Sequence, residues 1–339
     1  MDNLMEPTAN DNWSIQQIWN ELNAKDRVTK PRDYIRASEI GKPFLERYLA
    51  MRGVQPTNPY PARVRRIFDC GLIFEDVVER MFRMLGLLID AQTEVKLQLD
   101  GMLPIVGHYD QRVGGKINKT MALQAIGSAS NPEWLRTRAE ALLERLIQQH
   151  PEGLRTLITE IKSVNSMAFW AHKNMDKETG FFKGYPNHKL QILTYLMATG
   201  ENEGRLFYIS KDDLTLMETS IFKDDEKLKM IWEEDIKEMT HFYKEKIEPA
   251  PPENFTFQED KGWWDFNWQI ERSPYFTLMT GKATVEEWQG SLRDELKRKN
   301  TTDCKGCQKP FMLQTLVKNK GRCKKCSDEL KGGDDTHGK

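Results

Sequence analysis

The sequence predicts an α/β core, a small mixed sheet flanked by helices, followed by a small C-terminal metal-binding module. Three observations carry this. Apolar residues recur at spacings of three and four over residues 62–88 and then change to a two-residue alternation over 94–99, the switch from helix to half-buried strand. Strand and helix patterns continue to succeed one another as far as residue 246. Four of the five cysteines fall within 23 residues, Cys304 to Cys326, while Cys70 stands far upstream.

Composition narrows the class. Fifty Lys and Arg stand against 51 Asp and Glu in 339 residues, a net charge of -1, which excludes a histone-like or polybasic chain and leaves nucleic-acid affinity to local patches. Hydrophobic residues make up 39% and there are nine Trp, values of a globular chain. With 30% charged residues and a mean hydropathy of -0.66, no run reaches the roughly 18 apolar residues of a membrane span. The start, acidic and without the basic, apolar and small-residue order of a secretory signal, points to an intracellular location.

In chain order, Trp13, Ile15, Ile18 and Leu22 mark a helix within an N-terminal segment, residues 1–36. A second helix is expected over 37–51, capped by Ser38 and stopped by Gly53. Three prolines in residues 55–61 forbid helix there. Val64, Ile67, Phe68, Phe74, Val77, Val78, Met81 and Leu85 then give the strongest helical run, over 62–88. Glu94, Lys96 and Gln98 alternate with Val95, Leu97 and Leu99 as a strand. Gly101 turns the chain, a second strand starts over 103–106, and Val113 lies in a short third one ended by Gly114 and Gly115. Residues 116–150 read as an insertion with a helix over 133–149, and the sheet resumes over 154–161. Helices over 167–175 and 187–199, the latter stopped by Gly200, precede strands over 205–210 and 214–221. A charged helix over 224–246 ends at Pro249, Pro251 and Pro252, placing the core at 37–250. Residues 251–300 hold Trp263, Trp264, Phe266 and Trp268 and a helix over 285–299. The cysteine module occupies 301–330, and 331–339 form a flexible tail. The tryptophans serve either as core or as a stacking surface for unpaired bases.

Cys304-x-x-Cys307 and Cys323-x-x-Cys326, fifteen residues apart, are two thiolate hooks at the separation of a zinc ribbon or knuckle, with a short hairpin expected over 311–317. Four thiolates close a tetrahedral Zn2+ shell, so the metal is structural. An iron-sulfur cluster is the rival. Residues 291–326 carry eleven Lys or Arg against three Asp or Glu, a local excess that attracts phosphate.

Glu-x-Lys occurs five times, but only Glu160-Ile161-Lys162 ends an apolar strand and follows an earlier strand end bearing an Asp, Gly107-His108-Tyr109-Asp110. Alternation puts Glu160 and Lys162 on one strand face, where a carboxylate and an ammonium meet one substrate, and Asp110 supplies a second carboxylate. Such clusters hold the hard divalent ions that cleave phosphodiesters. Glu75 and Glu79 share a helix face, so either closes the site; Glu75 is preferred because Gly71 one turn earlier gives close access. His108 is an accessory ligand, base or hydrogen bonder. His172 and His188 read as surface or substrate-contacting residues, and Arg63, Arg65 and Arg66 as contacts to phosphates.

Gly71-x-x-x-Glu75, Gly107-x-x-Asp110, Glu160-x-Lys162 and Gln191-x-x-x-Tyr195, in this order over about residues 37–220, resemble the PD-(D/E)XK nuclease superfamily. The likeness is to its RecB-type branch of CRISPR-adaptation nucleases and phage or mitochondrial exonucleases. The resemblance implies a restriction-endonuclease-like fold. It implies that Asp110, Glu160 and the Ile161 carbonyl bind Mg2+ or Mn2+, that Lys162 orients or activates water, and that Gln191 and Tyr195 steady Lys162 and the phosphate. Many bacterial members carry His where this chain has Glu75. Members with an iron-sulfur cluster take a cysteine from before the first motif, where this chain has none, which favours zinc. The function so implied is exonucleolytic hydrolysis of DNA, single-stranded ends among its forms. A sequence- or structure-specific endonuclease of a defence or mobile-element system, and a non-catalytic nucleic-acid-binding zinc protein, are the alternatives.

Overall fold

The computed structural model describes residues 28–166, 185–258, 263–305 and 307–312, with Lys324 and Cys326. The expected helices around Trp13 and over 167–175, His172, Cys323, most of the expected 311–317 hairpin and the 331–339 tail lie outside the described residues. The chain divides into two units. The first runs to Ile247 apart from Pro43–Leu49 and Pro56–Asn58, which belong with the residues from Glu248 onward to the second.

Six strands build the sheet of the first unit: β1 (Ile35–Arg36), β2 (Leu88–Leu97), β3 (Ile105–Gly115), β4 (Leu154–Val164), β5 (Glu203–Ser210) and β6 (Leu216–Phe222). β3 runs antiparallel to β2 and β4, β4 parallel to β5, and β5 antiparallel to β6, so the sheet is mixed. β2 holds one edge of β3. The other edge pairs with β1 at Ile105 and Val106 and with β4 from Gln111 onward, which leaves Gly107 to Asp110 without a strand partner on that side. β3 and β4 therefore part beyond the Gln111–Thr159 pair, and that gap positions the site.

Among the described residues up to 245 the α-helices are α1 (Phe44–Met51), α2 (Ala62–Met84), α3 (Lys119–Ile126), α4 (Glu133–Gln149), α5 (Pro186–Thr199) and α6 (Glu226–Glu245). α2 packs Val78 and Phe74 against Ile161, Phe207 and Ile209. Successive strand residues point to opposite faces, so Glu160 faces away from α2, toward α5. α5 is buried at every position from Leu190 to Leu196, and its polar groups find partners: Trp232 Nε1 on α6 donates to Thr194 Oγ1 at 2.8 Å.

Four expectations change. The second helix starts at Phe44, not residue 37, because Gly41 takes a left-handed φ of +81° and Pro43 disfavours helix before it. The long helical run stops at Met84, and Leu88 already belongs to β2. The strands expected near 103–106 and at Val113 are one strand, β3, with Gly107 in its middle; a Cβ there would lie 2.7 Å from Ala37 Cβ and 2.8 Å from the Tyr195 ring, so that glycine is set by packing and not by a turn. The 116–150 segment holds a second helix, α3, capped by Asn118, which accepts from Met121 N at 3.0 Å. It packs on α4 around Ala122, Ile126, Ala139 and Leu143. At eight residues it is too short for periodicity to reveal.

The second unit contains the hairpin β7 (Phe255–Gln258) and β8 (Trp263–Phe266), the helices α7 (Trp268–Glu271), α8 (Phe276–Thr280) and α9 (Val285–Lys299), and the hairpin β9 (Thr301–Asp303) and β10 (Pro310–Met312). Ile270, Phe276 and Trp288 form its core with Phe266 and Leu292. The Lys299 ammonium lies 4.7 Å from the Trp264 ring, while Trp268 is left largely outside under Arg272. No helix among the described residues is long and apolar enough to cross a membrane.

Candidate active site

The site forms where β4 runs past the end of its pairing with β3. β4 continues on β5 as far as Val164, so its backbone on the other edge needs a substitute partner. Asp110 supplies it: its Oδ2 accepts the Ile161 N–H at 2.6 Å. The N–H and C=O of a strand residue project from the same edge, so the Ile161 carbonyl also faces this gap. Glu160 is 2% exposed; its Oε1 accepts from Lys162 Nζ and, at 2.7 Å, from Gln191 Nε2, which also donates to the Tyr195 hydroxyl at 2.8 Å. The other carboxylate oxygen, Glu160 Oε2, is buried without a hydrogen-bond partner. An orphaned buried carboxylate oxygen beside Asp110, with a backbone carbonyl facing the same gap, is an all-oxygen donor set that fits Mg2+ or Mn2+.

Glu75 enters from α2, accepting from Gln92 Nε2 at 3.2 Å, whereas Glu79 is paired with Arg83 at 2.6 Å. Of the two candidates Glu75 is the one that shares the field of Asp110 and Lys162. Gly71 is not forced, since the nearest atom to an added Cβ is Ser163 Oγ at 3.7 Å. Gln191 and Tyr195 meet Lys162 through Glu160. Gln191 holds Glu160, and Tyr195, buried against Gly107, holds Gln191. His108 is 53% exposed, with Nε2 3.6 Å from Glu94. His188 is half-buried with Nδ1 3.0 Å from the Tyr208 hydroxyl; burial, then Lys162 and Lys42, push its pKa down to about 3, so the ring is neutral.

Electrostatics mark the site as a cluster waiting for positive charge. Burial and then Asp110 push Glu160 up to about 8 and Glu75 up to about 7, and burial also raises Asp110, against the pull of Lys162 and the Ile161 N–H. Burial opposes the Lys162 charge, but Glu160, Asp110 and Glu75 outweigh it and hold its pKa above the ordinary lysine value. Glu75 and Glu160 hold protons in the folded chain that the unfolded chain, at 4.5, has released. Their contribution to stability is thus complete below about pH 4.5 and lost as pH rises through 7 and 8. In magnesium-free buffer, Glu75→Gln is therefore expected to gain about 2–4 °C in melting temperature over wild type as pH rises from about 5.5 to about 8.5. A difference that shrinks with rising pH, followed by thermal denaturation, would contradict this.

Two features were not anticipated. Gln92 reaches Glu75 from β2 with a left-handed backbone, φ +49°. Phe68 and Leu72, 55% and 59% exposed, lie seven and three residues before Glu75 and so on its face of α2. A helical pattern alone assigns such residues to a core.

The thiol cluster lies in the second unit. The sulfurs of Cys304, Cys307 and Cys326 all lie within 4.8 Å of one another, near the about 3.8 Å edges of a tetrahedron with zinc-thiolate arms of about 2.3 Å. The first hook sits in the turn between β9 and β10, where Cys304 N donates to Lys309 O and Gln308 N to Cys304 O, both at 2.9 Å. A hairpin thus forms around the hook itself; the one expected over 311–317 lies mostly outside the described residues. Cys304 is fully buried and Cys307 exposed.

No family model matches the sequence, and no curated protein matches it. Solved structures do. The structure of SSO0001 is 17% identical over 66% of this chain and 86% of its own, with a TM-score of 0.36. The alkaline exonuclease LHK-Exo from Laribacter hongkongensis is 13% identical over 68% and 94%, with a TM-score of 0.37. A phage-related exonuclease from Haemophilus somnus 129PT is 14% identical over 63% and 95%, with a TM-score of 0.32. Likeness at this level carries no inference about chemistry, which rests on the residues themselves.

Proposed function

We propose that the chain is a metal-dependent deoxyribonuclease of the PD-(D/E)XK type, of its RecB-type branch, acting as an exonuclease. One observation carries the reading: the partnerless Oε2 of buried Glu160, set beside Asp110 and Lys162 with Glu75 closing from α2. Asp110, Glu160 and the Ile161 carbonyl would hold Mg2+ or Mn2+. When bound, such an ion supplies an acidified water and offsets phosphate charge. Lys162, kept charged by three acids, donates to the attacking water or a phosphate oxygen. Gln191 occupies Glu160 Oε1 so that Oε2 is left for the ion, and Tyr195 fixes Gln191. Cys304, Cys307, Cys323 and Cys326 would hold a structural Zn2+, and the basic residues of 291–326 add a second hold on DNA.

Exposed Phe68 and Leu72 beside Glu75 offer an apolar surface to the bases of an unpaired end, with Arg63, Arg65 and Arg66 at the start of the same helix for its phosphates. The test is end-labelled single- and double-stranded DNA, alongside covalently closed circles, with Mg2+, Mn2+ or EDTA. Metal-dependent loss of linear substrate with circles left intact is the expected result. Nicked circles would favour the endonuclease reading, and binding without cleavage under every metal would favour the non-catalytic one.

A further inference from the structure

Gln92 breaks the β2–β3 ladder at the site. Ala91 pairs with Gln111 and Thr93 with Tyr109, but Gln92 and Asp110 between them do not pair, and Gln92 has a φ of +49°. L-residues other than Asn and Gly adopt this conformation rarely, and it persists only where the surroundings impose it. The distortion carries the side chain to Glu75, whose Oε2 accepts from Gln92 Nε2 at 3.2 Å. Resting on the nuclease reading above, we propose that Gln92 is a positioning residue, its neutral amide holding Glu75 in the orientation in which it closes on a divalent ion. A lysine or arginine would neutralise that acid and compete with the ion, whereas an amide donates without adding charge.

The test uses the full, zinc-loaded chain and Mn2+ alone as the probe, with free Mn2+ followed by electron paramagnetic resonance and the Glu160→Gln variant defining the site-specific fraction. Gln92→Gly accepts the left-handed backbone and removes the amide, while Gln92→Met keeps the length and the backbone demand but cannot donate. Both are expected to bind Mn2+ about ten- to a hundredfold more weakly, with Gln92→Gly melting at or above the wild-type temperature. If Gln92→Gly binds Mn2+ within about twofold of wild type while Glu160→Gln abolishes that binding, the amide only shapes the strand and the proposal falls, with the nuclease reading intact. A wild type with no Glu160-dependent Mn2+ binding overturns both.

Discussion

Asp110→Asn is expected to lower metal-dependent DNA hydrolysis on the order of a thousandfold while leaving the fold and DNA binding in place. The separation follows from what the two oxygens of Asp110 do. One accepts the Ile161 N–H at 2.6 Å and so replaces the missing β3 ladder, a task that the Asn carbonyl performs equally well. The other, with Glu160 Oε2, would hold the proposed ion, and Asn supplies neither its charge nor its basicity. Single-turnover cleavage of end-labelled DNA measures the first effect, and fluorescence anisotropy in calcium the second. Cleavage at the wild-type rate would remove Asp110 from the chemistry. Lys162→Ala is expected to lose comparable activity but to leave buried Glu160 without its counter-charge, so Mn2+, no longer competing with the ammonium, should bind at least as tightly as to wild type.

Removing zinc is the other large perturbation. β9 and β10 have three residues each, too few to bury a core, so the hairpin around Cys304 and Cys307 is expected to depend on thiolate-metal bonds for its stability. Apparent binding free energies of structural zinc are on the order of 10 kcal/mol, far above what so short a hairpin supplies. The purified protein is expected to contain one zinc per chain. Chelation under reducing conditions, or Cys304→Ser, should collapse hydrogen-exchange protection across β9 and β10 while β3, β4 and β5 stay protected. Unchanged protection after zinc removal would refute the dependence, and iron with sulfide in the purified protein would replace zinc with a cluster.

Much of this molecule was legible in its sequence because the signals are local. The helices over 133–149 and 285–299 have the bounds that periodicity and capping assign them, and Gly200 ends α5 where a left-handed stop was expected. Glu160-x-Lys162 was separable from four other Glu-x-Lys pairs because an apolar strand precedes it. Other features were hidden for equally physical reasons. Why position 107 is a glycine is not local: it is demanded by Tyr195, 88 positions later in the chain. That the Tyr195 hydroxyl accepts from Gln191, which in turn holds Glu160, is likewise set by packing and not by local pattern. Gln92 carries no mark at all, since nothing in a glutamine announces a left-handed backbone.

By itself, then, the sequence determined which segments are strands and helices, which residue types bring metal chemistry, and that Glu160 and Lys162 share a strand face. Those properties depend on neighbours a few bonds away. Only the tertiary structure decided that β3 and β4 separate at Asp110, that Glu75 and not Glu79 shares the field of Asp110 and Lys162, and that Gln92 takes a left-handed backbone and bonds Glu75. Pairing register and burial are set by contacts between residues far apart in the chain, and no local pattern encodes them.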